Sequence, residues 1–308
     1  DRQHFIQTHS ALCSHRDRQH TLTKLPALAI VVVRAFFFWY NTIMAKRLGI
    51  SILIFIAVWA VVFRGQIRDS YVEWSKPAVP SEQPRPTPIA SRVGTPIPMP
   101  TPTVTPVNGV INLGVQFFSQ APRGDWSLPW QEACEEASAI LVGAYWTGEQ
   151  LTTDTMEQRI VAAVQWQKDR YGYYEHTTAR QTADIIKALY GFKDVRVEYN
   201  IGIERIAEHV RAGRPVIVPL AGRLLGNPYY TQPGPSYHML VVKGVTADGN
   251  IITNDVGTRH GRNLIYAPDV FLNAMHDAPE GGANWGEGVD PAVYIKTGKR
   301  AIIVVYPN

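Results

Sequence analysis

Cys134 sits in the stretch Trp130-Gln131-Glu132-Ala133-Cys134-Glu135-Glu136-Ala137-Ser138, at the start of a run with helical spacing. A thiol at the first residue of a helix feels the positive end of the helix dipole and unpaired main-chain N–H groups, which favour the thiolate and hence a nucleophile. Alone this is a weak signal, because a single Cys on an apolar helix face is most often a small core residue. Two distant residues strengthen it. His238 opens the apolar stretch Tyr237-His238-Met239-Leu240-Val241-Val242-Lys243-Gly244-Val245, and Asp255 closes Asn250-Ile251-Ile252-Thr253-Asn254-Asp255 just before Gly257. If those stretches pair as a hairpin, His238 and Asp255 come to nearby levels, where a carboxylate fixes the tautomer of a histidine and stabilises its imidazolium. With the start of the Cys134 helix facing them, the three residues form a Cys-His-Asp set. Such a set can activate a thiol and hand its proton to a leaving amine.

The elements needed to hold this set are legible in the chain. Val110 to Phe118 alternates loosely and reads as an entering strand that ends at Ser119-Gln120, followed by a polar loop over 121–130. Ala137, Ile140, Leu141 and Ala144 recur at helical spacing in Cys134 to Tyr145, and two further helices are expected at 155–171 and 178–190, the second ending at Gly191. Strands follow at 195–199, 215–220, 237–245, 250–255 and 301–306, with a short helix at Ile203 to Arg211 and a Gly/Pro/Tyr-rich loop at 221–236. Helices first and an antiparallel sheet afterwards define an α+β domain with N-terminal helices packed on the sheet.

Four regions are expected along the chain. Residues 1–43 read as an N-terminal extension without fold. A basic Met44-Ala45-Lys46-Arg47 followed by sixteen predominantly apolar residues, Leu48 to Phe63, has the form of a signal anchor, which we place at 44–76 with its flank. Phe63-Arg64-Gly65-Gln66 offers no small-x-small cleavage site, so an uncleaved anchor is preferred over a cleaved signal. Residues 77–107 form a Pro/Thr-rich linker, with ten prolines between Pro77 and Pro106. As polyproline II at roughly 3.1 Å per residue it could span about 90 Å. The domain proper is 108–308. This organisation places the domain outside the cytoplasm on a membrane tether, or secreted if the signal is removed.

Charge and cysteine usage exclude several classes. Residues 1–107 hold 12 Lys+Arg against 5 Asp+Glu, a balance of +7, whereas 108–308 hold 18 against 21, a balance of −3. The basic character belongs to the leader, and no nucleic-acid partner is expected. Cys13 and Cys134 are the only cysteines and lie in separate regions, so Cys134 is free to react. No spaced Cys/His set marks a zinc site and no Gly-rich loop follows a strand, so neither metal nor cofactor is expected.

The order of these elements resembles that of the C39-like group of papain-fold cysteine peptidases. A strand ends in Ser119-Gln120, a helix starts at Cys134, Gly213-Arg214-Pro215-Val216 precedes a strand, His238 opens the next, and Asn254-Asp255 ends the one after. The resemblance covers nearly all of 110–308 and implies the papain-like fold. It also implies roles: Cys134 as nucleophile, His238 as general base and acid, Asp255 as its orienter, and a glutamine ahead of the cysteine as oxyanion donor. Gln120 matches the family's Ser-Gln position and is preferred, although it stands fourteen residues before Cys134; Gln131 stands three before it, where its side chain could cap the helix instead. Two features depart from the family pattern. Asn254-Asp255-Val256 replaces Asn-Asp-Pro, and Glu135-Glu136 follows the cysteine, which lacks the usual neighbouring Gly. Acidic residues in a first helical turn are ordinary dipole partners, yet they oppose thiolate formation.

The function expected is therefore a membrane-tethered cysteine peptidase or amidase acting on a peptide or protein through a Cys134 thioester. A non-catalytic binding domain with the same fold, or an acyltransferase with the same residues, are the alternatives. His209, His260 and His276 read as surface residues rather than ligands, and Trp126, Trp130, Trp146, Trp166 and Trp285 as core and loop anchors. Tyr229, Tyr230 and Tyr237, in and beside the loop before His238, are placed either to line a cleft or to pack a surface loop.

Overall fold

The computed structural model describes residues 27–85, 109–279 and 289–307. The chain divides into two units, residues 1–70 and 71–308. The first holds most of α1 (Ala27–Ser75), a helix of 49 residues. Residues 27–43, expected to lack fold, are helical, because the stretch contains no Pro or Gly to stop the helix and is apolar up to Tyr40 save for Arg34. Within α1, Lys46–Ser75 is the one segment among the described residues long and apolar enough to cross a membrane. Residues 1–26, with Cys13, lie outside the described residues, as do 86–108 of the Pro-rich region.

The second unit follows the order β1 (Ile111–Asn112), α2 (Cys134–Thr147), α3 (Thr153–Tyr171), α4 (Ala179–Tyr190), β2 (Asp194–Tyr199), α5 (Ile203–Arg211), β3 (Val216–Leu220) and β4 (His238–Val245). It continues with β5 (Ile251–Asn254), β6 (Arg262–Tyr266), α6 (Pro268–Ala274), α7 (Pro291–Ile295) and β7 (Ala301–Tyr306). This is the expected α+β arrangement. Sequence patterning missed β6, α6 and α7, which are short.

Local chemistry explains the helix limits. Thr152 accepts from the Thr155 main-chain N–H and Thr178 from that of Gln181, each as half of a capping box that opens α3 and α4. Gly148, Gly172 and Gly191 end α2, α3 and α4 in left-handed conformation. Residues Cys134 to Trp146 of α2 are all buried, in keeping with its apolar sequence around the whole circumference beyond Glu136. Gly143 allows α4 to approach: a Cβ there would lie 2.1 Å from the Tyr190 ring, whose hydroxyl donates to the Ile140 carbonyl at 3.1 Å.

The sheet is antiparallel, ordered β2-β7-β3-β4-β5-β6, with β1 also pairing β4. β4 is buried along its full length, and both α2 and α5 pack on it. The strand expected at Val110 to Phe118 is confined to Ile111–Asn112. Beyond it the chain turns off the ladder, with Val115 N–H bonding back to Leu113, and Asn254 Nδ2 donates to the Val115 and Gln116 carbonyls at 3.0 and 3.1 Å in place of a paired strand.

The first residues of the Pro-rich segment lie on this domain. The Gln83 main-chain N–H donates to the Asn112 carbonyl at 2.7 Å, and Asn112 Nδ2 donates to that of Pro80 at 2.8 Å. Lys243, fully buried at a bulge of β4, donates through Nζ to Glu82 Oε1 at 2.7 Å and to Asn263 Oδ1 at 3.0 Å. Replacing Glu82 by Ala leaves a buried ammonium with one acceptor. The expected cost is about 2 kcal/mol, below that of breaking a wholly buried pair because Glu82 is partly exposed. Urea denaturation measures it, and unchanged stability would show that residues 77–85 do not brace the sheet.

Candidate active site

The three elements that carry the expected residues converge. β4 and β5 pair with Val241 opposite Asn254, a register that puts His238 level with Gly257 and Asp255 two residues inside, opposite Leu240. Gly257 has to be glycine for this approach, since a Cβ there would lie 2.7 Å from His238 Cε1. His238 Nε2 is 2.8 Å from Asp255 Oδ1. An ionised carboxylate only accepts, so Nε2 carries the proton and Nδ1 keeps its lone pair.

Asp255 is fully buried and held by more than His238. The Gly257 main-chain N–H donates to Oδ1 at 3.0 Å, while Asn227 Nδ2, the Tyr230 hydroxyl and the Tyr266 hydroxyl donate to Oδ2 at 2.9, 2.7 and 3.0 Å. Burial alone would raise this carboxyl. The facing imidazole and the tyrosine donors outweigh that effect and hold it below the ordinary aspartate value, ionised. The Asx turn to Gly257 and the Val256 carbonyl, which accepts from Gln120 N–H at 2.9 Å, fix the Asp255-Val256 turn without proline. Tyr230 was among the loop residues marked as candidates; Asn227 and Tyr266 were not, and Tyr266 lies on the unrecognised strand β6.

Cys134 is the first residue of α2 and buried, and a main-chain N–H of Met239, next to His238, favours its ionised form. Its hydrogen bond, however, runs to Glu135 Oε2 at 3.0 Å, and none joins it to His238. Glu135 and Glu136 are not exposed dipole partners but fully buried groups. Burial, then the Glu135 charge, push the Cys134 thiol well above its ordinary range; burial, then Glu136, push Glu135 up in turn. Glu136 is raised to about 8, chiefly by burial, and accepts from Gln167 Nε2.

Gln120 and Gln131 part company. Gln131 is exposed, with its amide on Glu132 Oε1 at 3.2 Å. Gln120 is buried beside Val256, its Nε2 donating to the Trp130 and Gln131 carbonyls at 3.0 and 2.8 Å just ahead of Cys134. Of the other histidines, His209 is not on the surface as expected: it is fully buried between Glu198, 3.1 Å from Nε2, and Arg214 Nε, 3.1 Å from Nδ1. Its place on the inner face of a short amphipathic helix explains the difference. His276 Nδ1 lies 3.0 Å from the Gly298 carbonyl, and His260 stacks near Tyr229.

A buried cysteine opening the central helix, beside a histidine that a buried carboxylate orients from the neighbouring strand, defines the papain-like class of thiol peptidase folds. The chain belongs to the Peptidase_C39 like family, whose pattern matches residues 112–275, more than half of its length. Membership points to a cysteine peptidase. No curated protein shows significant similarity. Among solved structures, a Bacillus anthracis protein described as a C39-like peptidase aligns with 14% identity over 65% of this chain and 98% of its own, at a TM-score of 0.41. A fragment of prointerpain A from Prevotella intermedia aligns with 13% identity over 58% of this chain and 48% of its own, at a TM-score of 0.30.

The raised Glu136 has a consequence for stability. Its pKa rises on folding, so the folded state takes up a proton and loses stability as pH climbs from about 4.5 in the unfolded chain to about 8 in the folded one. Glu136→Gln removes that titration. The variant is expected to be more stable than wild type above pH 8 and to show a flatter stability profile between pH 5 and about 8. Parallel profiles in urea denaturation at several pH values would contradict it.

Proposed function

We propose that the protein is a membrane-tethered cysteine peptidase or amidase, its domain outside the cytoplasm, that cleaves a peptide or isopeptide bond through a thioester on Cys134. The observation that carries this is the His238–Asp255 pair at 2.8 Å, oriented so that Nδ1 is left for the thiol at the start of α2. The tether rests on the apolar helix Lys46–Ser75.

In this reading His238 Nδ1 accepts the thiol proton as the sulfur attacks the carbonyl carbon and the π electrons pass to oxygen. The Cys134 main-chain N–H, first in α2 and without an intrahelical acceptor, and the Gln120 amide receive that oxyanion. To do so, Gln120 turns one N–H away from the Trp130 or Gln131 carbonyl. The imidazolium then protonates the leaving amine. Water attacks the thioester with His238 as base, releasing the acid and restoring the thiol. Asp255 keeps the ring in the productive tautomer throughout.

One observation favours a second reading, a peptide-binding domain with an inert thiol: Cys134 bonds Glu135 and not His238. Cys134→Ala separates the two. Hydrolysis of a casein or peptide-library substrate and labelling by a thiol-directed probe are expected to vanish in the variant; activity retained in full would remove Cys134 from the chemistry. Asp255→Ala, which frees the imidazole to rotate, is expected to lower kcat on the order of a hundredfold. Gln120→Ala is expected to lower kcat by about a hundredfold with little change in KM, the signature of a donor used in the transition state. An effect confined to KM would assign Gln120 to substrate binding instead.

A further inference from the structure

The buried acids at the start of α2 have no place in the mechanism above, yet one of them touches the nucleophile. Cys134 Sγ lies 3.0 Å from Glu135 Oε2, and both side chains are buried. The second Glu135 oxygen, Oε1, has no hydrogen-bond partner, and the thiol is the one side chain that bonds this carboxyl, beside the residue's own main-chain N–H. Other groups around it reinforce rather than relieve the negative field. Glu136 follows on α2, Glu132 stands on the preceding turn Trp130–Glu132, and both raise the Glu135 carboxyl by charge. Glu175, in the loop between α3 and α4, adds to the charge felt by Glu132 and Glu136. Tyr174 from that loop and Tyr237 beside β4 feel the same carboxylates. Two histidines border this acidic cluster: His176, whose Nε2 is 3.9 Å from Glu132 Oε2, and His238, whose proton-bearing nitrogen is turned toward Asp255.

We propose that Glu135 is a positioning residue that holds the Cys134 thiol proton away from His238, so that the resting enzyme stores its nucleophile as a neutral thiol and not as a thiolate–imidazolium pair. The S–H bond then breaks only when substrate fills the site and the sulfur swings from Glu135 to His238 Nδ1, where the proton is taken up as the S–C bond forms. Burial and the Glu135 charge, which both keep the thiol protonated, act in the same sense. The cost is a slower nucleophile; the gain is a thiol that resists alkylation and oxidation between turnovers, since the thiolate is the reactive form.

This inference rests on the peptidase reading, but its test needs no substrate. The rate of Cys134 alkylation by iodoacetamide, measured from pH 6 to pH 10.5 on the full chain, follows the thiolate fraction. In wild type the midpoint is expected well above the roughly 8.5 of an ordinary cysteine. Glu135→Gln keeps the size and an acceptor but removes the charge, and it is expected to lower the midpoint and to raise the alkylation rate at pH 8.5 about tenfold. Glu136→Gln, one residue further from the sulfur, is expected to shift it less. A merely structural role for Glu135 would lower Tm without moving the profile. Superposable profiles for wild type and a folded Glu135→Gln variant overturn the proposal. If that variant does not fold, a wild-type midpoint at or below the roughly 8.5 of an ordinary cysteine overturns it and one above that value supports it. Absence of hydrolysis with these profiles intact would refute the peptidase reading alone.

Discussion

A helix enclosed on all sides cannot lend water to the groups at its own start, and α2 is such a helix. From Cys134 to Trp146 every residue is buried against α3, α4, β3 and β4. The apolar run that follows Glu136 stabilises the domain by removing side chains from water, roughly 1.5–3 kcal/mol for each large one. The same burial drags Cys134, Glu135 and Glu136 into a medium of low polarity, where a charge is tolerated only beside a partner. The protonation of Cys134 is thus governed first by how the core packs.

The second carboxylate site solves the opposite problem. Asp255 is as deeply buried as Glu135, yet it stays ionised because five donors reach it, from β4, the loop before it, β6 and its own turn. Two buried acids are therefore pushed in opposite directions: the His238 ring and the other donors hold Asp255 down, whereas burial and the Glu136 charge push Glu135 up. Fixing His238 in turn depends on β6, a strand whose contribution to the sheet is modest but whose Tyr266 closes the cage around Oδ2.

Much of this could be read from residue patterns, and the failures have physical causes. Cys134, His238 and Asp255 were visible because a strand-opening histidine and a strand-closing carboxylate on adjacent apolar runs have few other reasons to occur together. Arg262-Asn263-Leu264-Ile265-Tyr266 was not visible as a strand: Asn263 has a positive φ of 54° and the register slips beside Asn254, so alternation is lost. Glu135 and Glu136 read as ordinary dipole partners of a first helical turn, a role that says nothing of their burial. The signal that they are buried was present in Ala137 to Tyr145, apolar around the full turn apart from Ser138, which marks a helix with no wet face. His209 illustrates the same limit on a helix that does have one, since only the tertiary partners Glu198 and Arg214 show on which side it falls.

The clasp formed by Pro80, Glu82 and Gln83 bears on mechanics. These residues are fastened to Asn112 on β1 and Lys243 on β4, two paired strands of one sheet. A pull exerted at Ser75 meets the sheet within a few residues, through Lys76 to Gln83. The load falls on two ion pairs of Glu82, with Lys243 and Arg262, and on two hydrogen bonds of Asn112, one through its side chain and one through its carbonyl, before any of it reaches the fold around Cys134.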